Sequence, residues 1–324
     1  MQKTLSYINL RAVRNNALKI RSALGKRKFF AVVKADAYGH GAEEVARAIE
    51  DIADCFCVAI IDEGVKLRVA GITKPILVFT PPLDVGDIIR AKAYNLSVTV
   101  NSVHSAQLSK GLKCHIKVNT GMNRSGCNLS ELDEVLKNLS ADDIEGLYSH
   151  LYAPENNAAS AKQLALFNAA ESKVKRVCAS ACAHLAASGG ILRGGSFLKN
   201  GARAGILLYG YAPAGFSRTG YIPALKVYAR RTQVTPYIGG GVGYNISDKN
   251  YKDLNIYRLG YADGFFRGVP LGEKTLCMDA FISARGEEFR LVMADADEYA
   301  AKAGTISYEV LCSVTRRSLK IYER

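Results

Sequence analysis

From Phe29 to about Gly210 the chain alternates short apolar, β-branched runs with helix-like segments, and no other feature restricts its fold as much. Such alternation allows a closed barrel or an open doubly wound sheet, because parallel strands need helical crossovers. Strands are expected at residues 29–33, 55–60, 76–79, 97–100, 114–118, 144–148, 174–178, near Gly194, and at 204–208. Amphipathic helices are expected at 42–50 and 161–172, the second with Leu164, Phe167 and Ala170 on one face. No Gly-x-Gly-x-x-Gly follows the first strand and there is no Walker A sequence, which argues against a nucleotide-binding sheet.

The texture changes after Tyr211. The stretch APAGFSRTGYIPA is rich in glycine and proline and reads as a boundary. Beyond it, strand-like pieces at 225–234, 254–258, 274–282, 288–293 and 307–315 predict a smaller, mostly β domain. The first dozen residues can add a strand to it.

Composition excludes several classes. Of 324 residues, 48% are hydrophobic and 23% charged, a globular balance rather than a disordered one. No apolar run approaches a membrane span, and the N-terminus lacks a signal core, so no membrane association or secretion is expected. Eight scattered cysteines in apolar settings predict free thiols and a cytoplasmic location. The net charge of +13 is spread thinly, so it predicts attraction for anionic small molecules rather than specific nucleic-acid binding.

The chemistry-bearing candidates sit at strand ends. Lys34 closes the run FFAVV, with Asp36, Tyr38 and His40 following within six residues. A strand-end lysine can hold a carbonyl cofactor through its amine, or simply snorkel into solvent. Arg124, on the glycine-punctuated loop after Lys117, can grip a carboxylate. His150 follows another strand as either a hydrogen-bonding or a turn residue. His104 and His115 have unremarkable contexts, and His184 lies in an alanine-rich, helix-like run. Cys178, Cys182 and His184 lack a metal or cluster spacing and read as packing groups, and no HExxH occurs, so no metal is expected. Arg203 precedes Gly205 and Ile206, whose N–H groups could receive a phosphate. Tyr244 ends the flexible run GGGVGY and could act as an acid or base near cations.

Taken in order, AVVKADAYGHG (31–41), KVNTGMNRSG (117–126), EGLYSHL (145–151), ARAGILLYG (202–210), GGVGYN (240–245), LGYADGFFR (259–267), LCMDAF (276–281) and GTISYEVLC (304–312) resemble the alanine racemase family of pyridoxal-phosphate (PLP) enzymes. The resemblance implies an α/β fold: a TIM-like (β/α)8 barrel over 13–212, a smaller mostly β domain over 213–324, and an N-terminal strand from 1–12 joining the latter. It implies that Lys34 carries PLP and acts as one base, with Tyr244 opposing it. Tyr38, Ser180, Arg203, Gly205, Ile206 and Tyr308 fall where the family binds the cofactor. Arg124 and the Met278 backbone match the substrate-carboxylate positions, with Asp279 supporting. His150 matches a bridge between Arg203 and Tyr244, and Lys117 a lysine often carbamylated to orient Arg124. A head-to-tail homodimer acting on a small amino acid is also implied. The chain departs from the pattern at Ala179-Ser180, where an Asn-Ser pair is usual, at Asn119 for aspartate, and at Asn245 for glycine.

The expected reaction is interconversion of L- and D-alanine by two bases. Serine or broad-specificity racemisation, PLP-dependent decarboxylation, and PLP binding without turnover are the competing expectations.

Overall fold

Strands buried on both faces need no polar alternation, and the apolar runs of the first half form just such strands. A computed structural model describes residues 4–273 and 276–324. Their contacts divide into two units: Val13–Ala37 with Ala42–Ile222, and a smaller one comprising the chain up to Ala12, Tyr38–Gly41 and Pro223–Arg324.

The first strand, β1 (Leu5–Asn9), belongs to the smaller unit. The larger unit contains β2 (Lys28–Val32), β3 (Cys55–Val58), β4 (Ile76–Val78), β5 (Val98–Val100), β6 (Cys114–Lys117), β7 (Ile144–Tyr148), β8 (Cys182–His184) and β9 (Gly201–Ala204). All neighbouring pairs are parallel, in the runs β4-β3-β2-β9 and β5-β6-β7-β8. A parallel bridge from Leu77 to Ser97 joins the runs on one side. On the other, the Asn200 and Arg203 N–H groups donate to Ala183 and Ala186, both at 2.9 Å. The result is a (β/α)8 barrel. Its strands are short because the tilt of a closed barrel leaves only three to five residues of each in the ladder.

Three strands expected in the larger unit are corrected. Residues 174–178 end the helix Asn157–Val177, where Phe167, Ala170 and Val174 continue one buried helical face. The strand lies later, at Cys182–His184, and lacks the β-branched residues that announce one. Near Gly194 the chain makes a turn, with Gly194 and Gly195 at φ 74° and 62°. The Ala204–Leu208 region splits: β9 ends at Ala204, and Ile206–Tyr209 form a 3-10 turn.

In the smaller unit β10 (Leu225–Pro236) pairs antiparallel with β1, with β13 (Asp253–Tyr257) and with β15 (Phe289–Met293). Between β10 and β13 lies a hairpin of β11 (Gly241–Val242) and β12 (Asn245–Ile246). Strand β14 (Phe281–Ser283) flanks β13, and β16 (Leu319–Glu323) runs parallel to β1. Of the strand expected at 274–282, residues 274 and 275 lie outside the described residues. The strand expected at 307–315 is a helix, Ser307–Val314, because Ser307, Val310, Leu311 and Val314 are buried at helical spacing.

The larger unit extends past the Gly/Pro-rich boundary to Ile222. Asn16 holds that segment, donating to Ile222 O at 2.9 Å and accepting from its N–H at 2.9 Å.

Candidate active site

Lys34 stands just beyond the C-terminal end of β2, the face at which barrel enzymes place their chemistry. The next four residues, Ala35 to Tyr38, all lie in the left-handed region at φ 52–53°. L-residues avoid it, at about 1–2 kcal/mol each, so something must hold the turn. Glu63 does so, accepting from the Ala35 and Ala59 N–H groups at 2.7 Å each. Asp36 accepts from the Ala42 N–H at 2.8 Å, which makes it a brace of the turn. Within the smaller unit, Tyr38 is buried and its ring lies 6.1 Å from that of Tyr308. Gly39 at φ +83° is required there: a Cβ would come within 2.5 Å of Leu311 O.

Four further groups meet at the same barrel end. Lys117 ends β6 and is buried, and its pKa falls to about 8 through desolvation and then through Arg124, Arg203 and Lys34. His150, past the end of β7, is held neutral by desolvation and the same cations together with Lys117, with a pKa near 3. Arg124 is exposed on a loop closed by paired bonds between Asn119 and Cys127 and between Cys127 and Lys117. Asn119 Oδ1 accepts from the Gly121 and Asn123 N–H groups, both at 3.1 Å. It thus supplies the acceptor that an aspartate would.

Arg203, in β9, is buried, and desolvation lowers its pKa to about 10, which leaves it charged at neutral pH. Its guanidinium bonds His184 Nδ1 at 2.9 Å, the His184 and Ser149 carbonyls, and Leu185 O at 3.1 Å. The expected bridge from His150 to Arg203 is corrected: no hydrogen bond joins them among the described residues, and His184 holds the guanidinium instead. His184 was hidden by its alanine-rich setting, which reads as helix rather than strand.

Ser180 is corrected as well. It lies exposed before β8 and lines a cavity at the N-terminal end of the barrel, with Lys28, Lys113 and His115. Beyond the C-terminal end of β8 the buried hydroxyl is Ser188, whose Oγ accepts from the Gly205 N–H at 3.1 Å. The 3-10 turn Ile206–Tyr209 starts beside it, with opening N–H groups that have no partner within the turn. The residues after the last two barrel strands are where this fold commonly holds phosphate. Ala187-Ser188, not Ala179-Ser180, is therefore the pair at the C-terminal end of the barrel strands.

In the smaller unit Met278 and Asp279 follow Cys277 on a segment docked against residues 260–262. The Tyr261 N–H donates to Cys277 O at 3.1 Å and the Ala262 N–H to Met278 O at 2.9 Å. Asp263, 2% exposed, anchors this contact through the Gly260 N–H at 2.9 Å and Arg258 at 3.0 Å. Asp279 pairs with Arg317 at 3.0 Å and with Arg258 at 3.6 Å. Tyr244, by contrast, sits 70% exposed between the two-residue strands β11 and β12, although Gly243 beside it approaches Cys277 Sγ.

The donor set suits PLP: a half-buried strand-end amine, a buried guanidinium, and a hydroxyl with N–H groups for a phosphate. No group of three or more metal-ligating side chains exists among the described residues. No helix among them is long and apolar enough to cross a membrane. None of the eight cysteines is in a disulfide bond, and Cys178 and Cys182 are buried, as packing thiols would be.

Burial also makes the barrel acid-sensitive. His115 has a pKa near 3 and His184 lies well below 6.5, chiefly through desolvation, whereas the unfolded chain takes up these protons at about 6.5. The unfolded state therefore binds more protons as pH falls below 6.5, and stability drops with it. For His115 the expected loss is about 2 kcal/mol between pH 6.5 and pH 5, at about 1.4 kcal/mol per pH unit, and His184 adds to it in the same direction. Urea unfolding at pH 7 and pH 5 measures it, and equal stabilities would contradict neutral burial.

Comparison with known proteins agrees with this geometry. The family model described as "Alanine racemase, N-terminal domain" matches residues 8–213. An alanine racemase from Carboxydothermus hydrogenoformans is 34% identical over 373 aligned residues, covering 99% of this chain and 100% of that one. The crystal structure of alanine racemase from Bacillus anthracis with bound L-Ala-P superposes with a TM-score of 0.87 at 29% identity, covering 100% of this chain and 96% of that one. The Bartonella henselae enzyme, described with covalently bound pyridoxal phosphate, gives 0.83 at 25% identity, with 99% of each chain covered.

Proposed function

The chain belongs to the alanine racemase family, and from that premise we propose that it interconverts L- and D-alanine with PLP held by Lys34. The observation that carries this reading is the meeting of Lys34, Lys117, Arg124, His150 and Arg203 at one end of the barrel, beside the Ser188–Gly205 contact. When bound, PLP supplies an electron sink next to the substrate Cα.

The protein's residues divide the remaining work. Lys34 takes or returns a proton at Cα on one face. With its Nη groups bound to His184, Ser149 and Leu185, Arg203 would offer its Nε–H to the pyridine nitrogen, and a guanidinium that keeps its protons would leave that nitrogen unprotonated. Arg124 and the Met278 N–H hold the substrate carboxylate. Ser188, Gly205, Ile206 and Tyr308 bind the phosphate, and Tyr38 packs at the cofactor. With a pKa near 8, Lys117 has a sizeable neutral fraction at neutral pH, so its amine can take up carbon dioxide, release a proton and present a carbamate to Arg124.

The second base is a phenol from the β unit, contributed with Met278 and Asp279 by the partner of a head-to-tail homodimer. Tyr244 is that phenol: Gly243 beside it lies against Cys277, next to Met278, and the exposure of its ring is that of a group offered to a partner chain.

The test is interconversion of both enantiomers of alanine, serine and lysine. Alanine is expected to have the highest kcat/KM, by about tenfold or more over serine, the scale on which a small pocket separates side chains differing by a hydroxyl. Equal or greater serine efficiency would overturn the alanine assignment.

A further inference from the structure

A line of polar side chains runs through the barrel interior away from the cofactor end, and its direction follows from elementary hydrogen-bond chemistry. Arg203 can only donate, so His184 Nδ1, 2.9 Å from Nη1, must be an unprotonated acceptor. A neutral His184 then carries its proton on Nε2, which lies 2.8 Å from His115 Nδ1. That nitrogen must accept in turn, so the proton of His115 is on Nε2, facing Glu145 Oε2 at 3.8 Å. Glu145 also accepts from Ser97 Oγ and lines the cavity of about 570 Å³ at the far end of the barrel. Each link forces the next.

The packing around this line is specific. The His184 ring stacks on Phe30 at 4.3 Å and on Tyr148 at 5.1 Å, both within 12° of parallel, so only its edges are open to bonding. Gly146 makes room for the His115 ring: a Cβ there would stand 2.4 Å from Nδ1, the atom that meets His184. Any larger residue at 146 would push that nitrogen out of reach. An isolated buried histidine needs no such allowance.

We propose that Arg203 is held by a polarised hydrogen-bond relay through the barrel core, from Arg203 to His184 to His115 and toward Glu145. His115 and Glu145 are then positioning residues for a guanidinium they never touch. The neutral state of both rings agrees with their burial beside Arg203 and Lys28. The kinetic consequence rests on the reading that Arg203 faces the cofactor. The tautomers do not.

The experiment is long-range ¹H–¹⁵N spectroscopy of the histidine rings in the full chain at pH 7, with and without PLP. His184 and His115 are both expected as neutral Nε2–H tautomers. An Nδ1–H tautomer or an imidazolium at either ring overturns the relay. His115→Phe removes the acceptor of the His184 Nε2–H, so the ring shifts of His184 and the visible absorption of bound PLP should move. In the same variant kcat should fall about tenfold, the scale of one hydrogen bond in a charged network, with the KM for alanine nearly unchanged. His115→Gln keeps an acceptor and should restore most of the loss.

Wild-type shifts at His184 in His115→Phe, or an unaltered PLP band and kcat, overturn the positioning role. Should His115→Phe fold poorly, Glu145→Leu at the rim probes the other end. It should shift His115 Nε2 and leave the His184 tautomer as it is, and an unmoved His115 Nε2 overturns the part assigned to Glu145. A wild-type chain with the expected tautomers that racemises nothing supports the relay and overturns the reaction proposed above.

Discussion

Lys34→Ala is expected to lower racemisation in both directions by about 10⁴-fold or more, since it removes a base and the cofactor's covalent anchor together. PLP should still bind through Ser188, the Gly205 turn and Arg203, but borohydride should no longer fix it to the chain. Mass measurement after reduction separates this loss from misfolding. The fold should persist, because Lys34 adds to the repulsion felt by Lys117 and His150, and its removal relaxes both. The pKa of Lys117 should accordingly rise from about 8. If Lys34→Ala retains activity and a reducible PLP linkage, the cofactor is attached elsewhere and the mechanism fails at its first step.

Tyr244→Phe is the second large effect. Loss of one acid–base group is expected to cost about 10²- to 10⁴-fold in kcat in both directions. The physical reason is position. Tyr244 ends a glycine-rich run in the short β11–β12 hairpin, and Gly243 beside it lies against Cys277, next to the Met278 segment. A base must be held within hydrogen-bond reach of the proton it takes. In deuterated water, Tyr244→Phe should still exchange the Cα proton of one enantiomer through Lys34 without inverting it. Unchanged rates for Tyr244→Phe in both directions would overturn the opposing-base assignment.

Ser180 was matched through the resemblance, and the strand expected at 174–178, where Val174 and Val177 look β-like, left nothing to contradict that match. The helix in fact runs to Val177 and the strand waits until Cys182, so the hydroxyl at the cofactor end is Ser188. An apparent departure from the family pattern thus moves with the strand, and Ala187-Ser188 inherits it. Residues 307–315 failed for a related reason. Valine and leucine favour either state, and only packing decides between periods of two and 3.6 residues.

From order and residue type alone the chain determined its alternating β/α half and its β-rich remainder, and its ordered motifs pointed through family resemblance to the lysine, arginines and glycines of the cofactor end. Those are local matters: apolar runs choose strands, and glycine permits the turns. Partnership was decided only in three dimensions. Arg203 turns to His184 rather than His150, Glu63 secures the left-handed turn after Lys34, and Gly146 opens space for His115. Each of these joins residues distant in the chain, and barrel closure alone brings their strands and loops within hydrogen-bonding distance.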